Sequence, residues 1–374
     1  MVTWVSSPAE LSALIARLAS LEAIALDTEG DSLHHYPERL ALIQIAEPGE
    51  ATWFVDPLAL PDLAPLAPLF AAPRPRLVLH AGDNDLAHLK RRYRFTFGAV
   101  FDTSIAARFL GARSLGLDVL IRDHLGIELP PSRQKDDWSA RPLSASQEHY
   151  AAADVRHLFA LEARLREELA RIGRLAWVEE ECAALAAESP VDRVVDPDAY
   201  LGLKGARDLS PAGLAILREL YELRERLAVA ADRPPFKVLG EATLVALAKA
   251  SPADVSALSA VVGCTPRVAA RWGEEIVDAV TRGRSAPPPV PTASRSHRPS
   301  LSGAARRRID ALRQWRVEAA PRLGLDPGVL LPNRLIRAIA EDGPRDLAAL
   351  ARVEGVRRWR VEVLGPELVQ AVVG

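Results

Sequence analysis

AIALDTEGD, residues 23–31, is an apolar run that turns abruptly acidic. Its first four residues read as a strand, and along a strand residues i and i+2 share a face. Asp27 and Glu29 therefore point the same way from the end of a strand that its apolar run would bury. Two carboxylates about 4 Å apart repel by ~4 kcal/mol at an effective dielectric of 20. Something must answer that charge, or the pair will hold protons or splay apart.

Working outward, LALIQIA (40–46), TWFVD (52–56) and RLVLH (76–80) are also short, apolar and bounded by turn residues, as strands are. The first three of these four strands follow one another without a helix-length insert, which predicts an antiparallel meander. Helical spacing appears at DLAHLKRRY (85–93), TSIAARFL (103–110), LGLDVLIRDHLG (115–126) and along a run from about 145 to 187. A meander followed by strands joined through helices predicts a mixed α/β sheet.

Near 189–210, SPVDRVVDPDAYLGLKGARDLS breaks the periodic pattern with Pro and Gly. Beyond it the chain is helical and repeats. A shift of 92 residues aligns Leu217, Leu220, Arg224 and Ala228 with Ile309, Leu312, Arg316 and Ala320, and Asp254, Gly263 and Gly273 with Asp346, Gly355 and Gly365. Apolar and Gly positions match together, which points to two copies of one small helical domain. The stretch RSAPPPVPTASRSHRP (284–299) reads as extended, because Pro fixes φ and lacks an amide donor. The expected organisation is a catalytic domain at 1–195, helical domains at 205–284 and 300–374, and a Pro-rich linker at 285–299.

A chain of 374 residues with 49% hydrophobic and 26% charged residues is too apolar for wholesale disorder. No uncharged apolar run approaches the ~18 residues of a membrane span. The opening MVTWVSSPAE lacks the basic and apolar regions of a signal peptide. Cys182 and Cys264 are far apart and form no CxxC, against a disulfide framework or a cysteine-rich zinc site. The expectation is a cytoplasmic protein without membrane attachment. Residues 1–199 carry 20 basic and 30 acidic side chains, and residues 300–374 carry 13 and nine. An acidic front with a basic rear fits a metal-using domain followed by modules for a polyanion.

Two further acids stand beside apolar stretches. In LVLHAGDNDLAHL, Asp85 opens a helix; in HYAAADVRHL, Tyr150 and Asp154 lie four apart, one turn along the same helix face. Together Asp27, Glu29, Asp85 and Asp154 make an all-oxygen donor set, which selects hard cations such as Mg²⁺ or Mn²⁺ over Zn²⁺. Two such ions suit in-line phosphoryl displacement.

This ordered set resembles the DEDDy family of 3′–5′ exonucleases, the ribonuclease D group above all. LDTEGD matches the first motif with Asp27 and Glu29, HAGDNDL the second with Asp85, and YAAAD the third with Tyr150 and Asp154. QKDDWSARPLS (134–144) is similar to the segment that precedes the third motif. The helical repeats resemble the HRDC domain, a nucleic-acid-binding accessory. The resemblance implies a ribonuclease H-like mixed-sheet exonuclease domain followed by two small all-α HRDC-like domains. It implies that Asp27, Glu29, Asp85 and Asp154 hold two divalent ions, Mg²⁺ or Mn²⁺, while Tyr150 orients the attacking water. It implies RNA as substrate, cut from its 3′ end to nucleoside 5′-monophosphates, with tRNA precursors and other small structured RNAs as the expected molecules. This chain departs from the pattern at Asn84, where an acid is frequent, and at Asp136, where Ser is common.

Weaker candidates for substrate contact are His80, Gln44, Gln134, Lys135 and Trp138. Lys135 is placed to meet a phosphate, Trp138 to pack its loop or stack on a base. The basic run Lys90, Arg91, Arg92 and Arg94 is a candidate RNA track or a solvated helix face. So are Arg306–Arg308 and the group Arg357, Arg358, Trp359 and Arg360. Alternatives left open are a DNA exonuclease and a non-catalytic nucleic-acid scaffold; three separate units point to a monomer.

Overall fold

The computed structural model describes residues 2–49, 51–60, 62–189, 196–289 and 301–374. Six strands lie among them: β1 (Val2–Val5), β2 (Ala23–Gly30), β3 (Leu40–Ala46), β4 (Thr52–Val55), β5 (Arg76–Leu79) and β6 (Val100–Asp102). They form one mixed sheet in the order β1-β4-β3-β2-β5-β6. β3 and β4 are antiparallel, with Gln44 opposite Phe54; β5 runs parallel to both β2 and β6. The strand neighbours expected for 24–56 are present. β1, parallel to β4, and β6, only three residues long, were not expected.

All seven residues of β3 are buried, which explains its continuous apolar reading: both faces of the sheet are covered. One face carries α1 (Pro8–Leu18), α2 (Ala67–Ala71) and α3 (Asp83–Tyr93), whose Leu11, Phe70 and Leu89 pack with Ile24, Ile43 and Leu77. Each such fully buried side chain contributes about 1.5–3 kcal/mol. β6 runs straight into α4 (Thr103–Phe109), and α5 (Leu117–Leu125) follows. The helical run at 145–187 resolves into α6 (Ala145–Arg156), α7 (Leu158–Arg171) and α8 (Leu175–Ala187). Gly173, at φ +72, separates the last two. α6 covers the second face of the sheet over β3 and β4: Tyr150, Ala151 and Ala152 pack with Leu42 and Phe54.

The repeats fold alike. The first comprises α9 (Pro211–Ala230), α10 (Pro235–Val238), α11 (Glu241–Ala250) and α12 (Pro266–Ser285). The second has α13 (Gly303–Leu323), α14 (Pro327–Leu330), α15 (Asn333–Asp342), α16 (Leu347–Arg352) and α17 (Arg358–Val373). The shared glycines have a physical reason. Gly263 and Gly355 sit at φ +88 and +82, where a side chain is strained. The expected linker at 285–299 lies largely outside the described residues, from 290 onward.

The chain forms two compact units. One is Met1–Glu29, Leu40–Val191 and Ser300–Gly374, so the second repeat belongs with the sheet; the other is Gly30–Arg39 and Asp192–Pro299. Within the first unit the second repeat docks on α8. α17 has no side-chain cap of its own; instead Glu180 accepts from the backbone N–H groups of Arg358 (2.6 Å) and Trp359 (3.0 Å). Glu181 accepts from Trp359 Nε1 at 3.0 Å, pairs with Arg357 at 3.4 Å and pairs with Arg360. The Trp177 and Trp359 rings stack, centroids 4.9 Å apart. Arg360 is 4% exposed and also donates to Leu330 O and Val329 O. Of the basic group expected on a nucleic-acid or solvent surface, Arg357, Trp359 and Arg360 are therefore turned inward; Arg358 stays exposed beside Glu362. In the second unit, α12 is capped by its own Thr265, which accepts from Val268 N at 3.3 Å.

Candidate active site

Asp27 and Glu29 project from the end of β2 and meet Asp154 of α6. One carboxylate oxygen from each lies within 4.8 Å of the others. Asp85, in the first turn of α3, where the helix N-terminus favours an acid, accepts a hydrogen bond from Thr28 Oγ1. That bond ties the second motif to the first. Tyr150 hydrogen-bonds Asp154 one turn along α6. The structure thus brings Asp27, Glu29, Asp85, Tyr150 and Asp154 to one place.

The electrostatics are those of a cluster short of positive charge. Desolvation pushes the Asp27 carboxyl well above its usual range, and the neighbouring Asp85, Glu29 and Asp154 add to the rise. Glu29 is pushed up to about 9 by desolvation, then by Asp154, Asp85 and Asp136. Desolvation raises Asp154 to about 7 and Asp85 to about 6, the latter held back by its bond from Thr28. The Tyr150 hydroxyl is raised by burial and by the acids around it, so it stays protonated. Four carboxylates that repel one another and offer only oxygen fit divalent cations. Asp136, where the chain departs from the family pattern, adds to the rise at Glu29 and pairs with Arg133 at 3.4 Å.

Several supports carried no motif signal. Asp102 ends β6 and accepts from Ala81 N (3.2 Å), Gly82 N (2.8 Å), Ser104 N (2.8 Å) and Ile105 N (3.0 Å). One buried carboxylate thereby fixes the turn that launches α3 and caps α4. Gly82 fits closely there: a Cβ would stand 2.9 Å from Leu79 Cδ1, so any other residue would make Leu79 shift. Ser144 and Gln147 form a capping box at the start of α6, and Gln147 Nε2 donates to Asp137 O at 3.2 Å. Arg141 pins the preceding loop through Asp56, Ala41 O and Trp138 O.

The weaker candidates separate. His80 is held at both ring nitrogens, by Thr103 Oγ1 and Leu115 O, each at 2.9 Å, which leaves no ring nitrogen for a substrate. Gln44 is fully buried beneath α6, out of reach of a ribose, and its amide has no partner among the described residues. Trp138 is fully buried against Tyr150, ring centroids 6.0 Å apart, so it packs and does not stack on a base. Gln134 and Lys135 are exposed on the loop. Lys90 is not on an RNA track: it is buried, and Nζ donates to Leu185 O, Ala186 O and Glu188 O at the end of α8.

A 3′–5′ exonuclease family model matches residues 2–170, and the HRDC domain model matches at 213–280 and 305–372. This is a 3′–5′ exonuclease domain followed by two HRDC domains. A ribonuclease D of Pseudomonas paraeruginosa is 32% identical to the chain, over 99% of this chain and 97% of that one. The chain belongs to the ribonuclease D family of 3′–5′ exoribonucleases. Two solved structures share the fold over 100% of this chain. One is a protein from Bifidobacterium adolescentis, with 97% of its chain covered, 23% identity and TM-score 0.78. The other is Escherichia coli RNase D, with 98% covered, 24% identity and TM-score 0.71; it is described as an exoribonuclease involved in structured RNA processing. The exonuclease domain of this family is metal-dependent, and the carboxylate cluster fits that requirement.

Proposed function

We propose that the chain trims the 3′ ends of tRNA precursors and other small structured RNAs, releasing nucleoside 5′-monophosphates, as a cytoplasmic monomer. Asp27, Glu29, Asp85 and Asp154 hold two divalent ions, Mg²⁺ or Mn²⁺. Bound there, the ions neutralise the developing phosphoryl charge and acidify the attacking water. Tyr150, protonated and anchored on Asp154, orients that water and does not serve as the base. Residues 1–195 form the catalytic domain, and 205–284 and 300–374 the two accessory domains joined by 285–299. The observation that carries this reading is the convergence of Asp27, Glu29 and Asp154 with Asp85 tied in through Thr28.

The test is digestion of RNA and of DNA of equal sequence, labelled at either end, with Mg²⁺ and with chelator. Nucleotides released from the 3′ end of RNA, only with metal, are the expected result. Faster loss of DNA, or products unaffected by chelator, would overturn the substrate or the metal assignment respectively.

A further inference from the structure

We propose that a cleft between the sheet domain and the second repeat binds a phosphodiester of the RNA strand on the 5′ side of the scissile bond, with Arg108 and Arg113 as its cations. The proposal rests on the RNA-hydrolysing reading above and extends it to a second binding point on the strand. The cleft encloses about 520 Å³, within the size range of ligand sites. Both its walls belong to one compact unit.

The cleft is built, not incidental. Arg174 donates to Phe109 O at the end of α4 (2.8 Å) and to Leu323 O at the end of α13, stapling the two walls together. At their closest approach a Cβ on Gly111 would lie 2.8 Å from Gly324 O, so this approach admits only glycine without a shift.

Its lining carries more positive than negative charge. Arg108 and Arg113 both line the cleft and are exposed, and neither has an ion pair with a described acid. The one acid in the lining, Asp326, is engaged in capping α14, accepting from Gly328 N at 2.7 Å. Two guanidinium groups against one carboxylate leave the lining with a net positive charge and with Arg108 and Arg113 outside any ion pair among the described residues, which matches a phosphate, a group that Arg binds with a planar fork of donors. Leu115, another lining residue, accepts from His80, which directly follows β5 in the chain. A 3′–5′ exonuclease cuts the terminal nucleotide, so a phosphate held away from the carboxylates belongs to the strand on the 5′ side of the cut.

The experiment is equilibrium binding by fluorescence anisotropy, in chelator, of a single-stranded RNA of about 12 nucleotides at ~50 and ~200 mM salt. The proteins are the full chain, Arg108→Ala/Arg113→Ala and Arg108→Lys/Arg113→Lys. The Ala pair should bind at least ~10-fold more weakly, with a log–log salt slope smaller by about 0.7, the value for one single-strand phosphate no longer neutralised. The Lys pair should recover most of the affinity. Hydrolysis of a dinucleotide with Mg²⁺ should be unchanged in all three. Parent affinity and slope in the Ala pair would overturn the proposal, as would an equal loss of dinucleotide hydrolysis. A parent that binds RNA but hydrolyses none would sink the nuclease reading alone, since the binding titration does not depend on cleavage.

Discussion

At the ends of β2, α3 and α6, four carboxylates face one another, and the charges acting on Asp27 and Glu29 are all negative. At the junction of α8 and α17, Glu180 and Glu181 meet two backbone N–H groups, an indole N–H and two guanidinium groups. The residue type is the same, yet the physical outcome is opposite. Paired carboxylates determine where a domain sits. Unpaired ones oppose the fold that holds them and are relieved only by a cation from outside. The difference separates architecture from chemistry without reference to any motif.

Removing one acid from each region should have opposite consequences. Asp27→Ala or Asp154→Ala should lower RNA hydrolysis by at least ~10³-fold, because the ions lose a ligand where transition-state charge develops. The metal-free variant should melt no lower than the parent, since a repulsive charge has gone. Hydrolysis at the parent rate would show that these acids are not the metal site. Glu181→Ala should do the reverse. It leaves Arg360 buried without its carboxylate, which costs about 3–5 kcal/mol, while dinucleotide hydrolysis persists. Hydrogen exchange should show α17 losing protection; full protection would mean that Glu180 and the Trp177–Trp359 stack hold the dock without Glu181.

The catalytic set was legible because acids interrupt apolar runs at strand and helix spacing. Asp27 and Glu29 at i and i+2, and Tyr150 and Asp154 at i and i+4, need only local geometry to be read. Asp102, Arg141 and Thr28 escaped for the opposite reason. Their partners are backbone atoms or side chains distant in sequence, and nothing local marks them apart from ordinary loop polarity. Gln44 and His80 were over-read: each is polar beside a strand, but whether a ligand can reach it depends on what packs above. The dock of α17 on α8 was invisible because it joins residues nearly 180 positions apart. A cluster of Arg with Trp looks the same whether it meets RNA or two glutamates.

The pH response should sharpen the contrast at intermediate size. Glu29 is raised from 4.5 to about 9, Asp154 from 3.8 to about 7 and Asp85 from 3.8 to about 6. A raised carboxyl pKa means the folded chain keeps a proton that the unfolded chain has released. The metal-free protein is therefore favoured below about pH 4 by these groups, and loses that stability as pH climbs from ~4 through 9. Mg²⁺ binds the ionised set and acts in the other direction, adding ~2.7 kcal/mol at 100 times its Kd. Melts at pH 6 and pH 8.5 should show a larger Mg²⁺ shift at the higher pH, and Asp27→Ala should flatten the difference. Equal shifts at both pH values in the parent would contradict the unpaired character of the cluster.

The smallest effect compares the two repeats directly. Thr265 caps α12 from within its own repeat, and the aligned position in the second repeat is Arg357, whose helix is capped instead by Glu180. Thr265→Ala should cost about 1 kcal/mol, with the loss of protection confined to the first repeat. Glu180→Ala should cost a similar amount on α17, since it strips two N–H groups of their acceptor. Adding Arg357→Ser to Glu180→Ala supplies a local cap like that of the first repeat. Hydrogen exchange should then recover at the start of α17, whereas protection of α8 against it should not, because a serine cap restores the helix without reaching the sheet domain. Recovery at both places would mean that Glu180 acts on the helix end alone and that the dock is carried elsewhere.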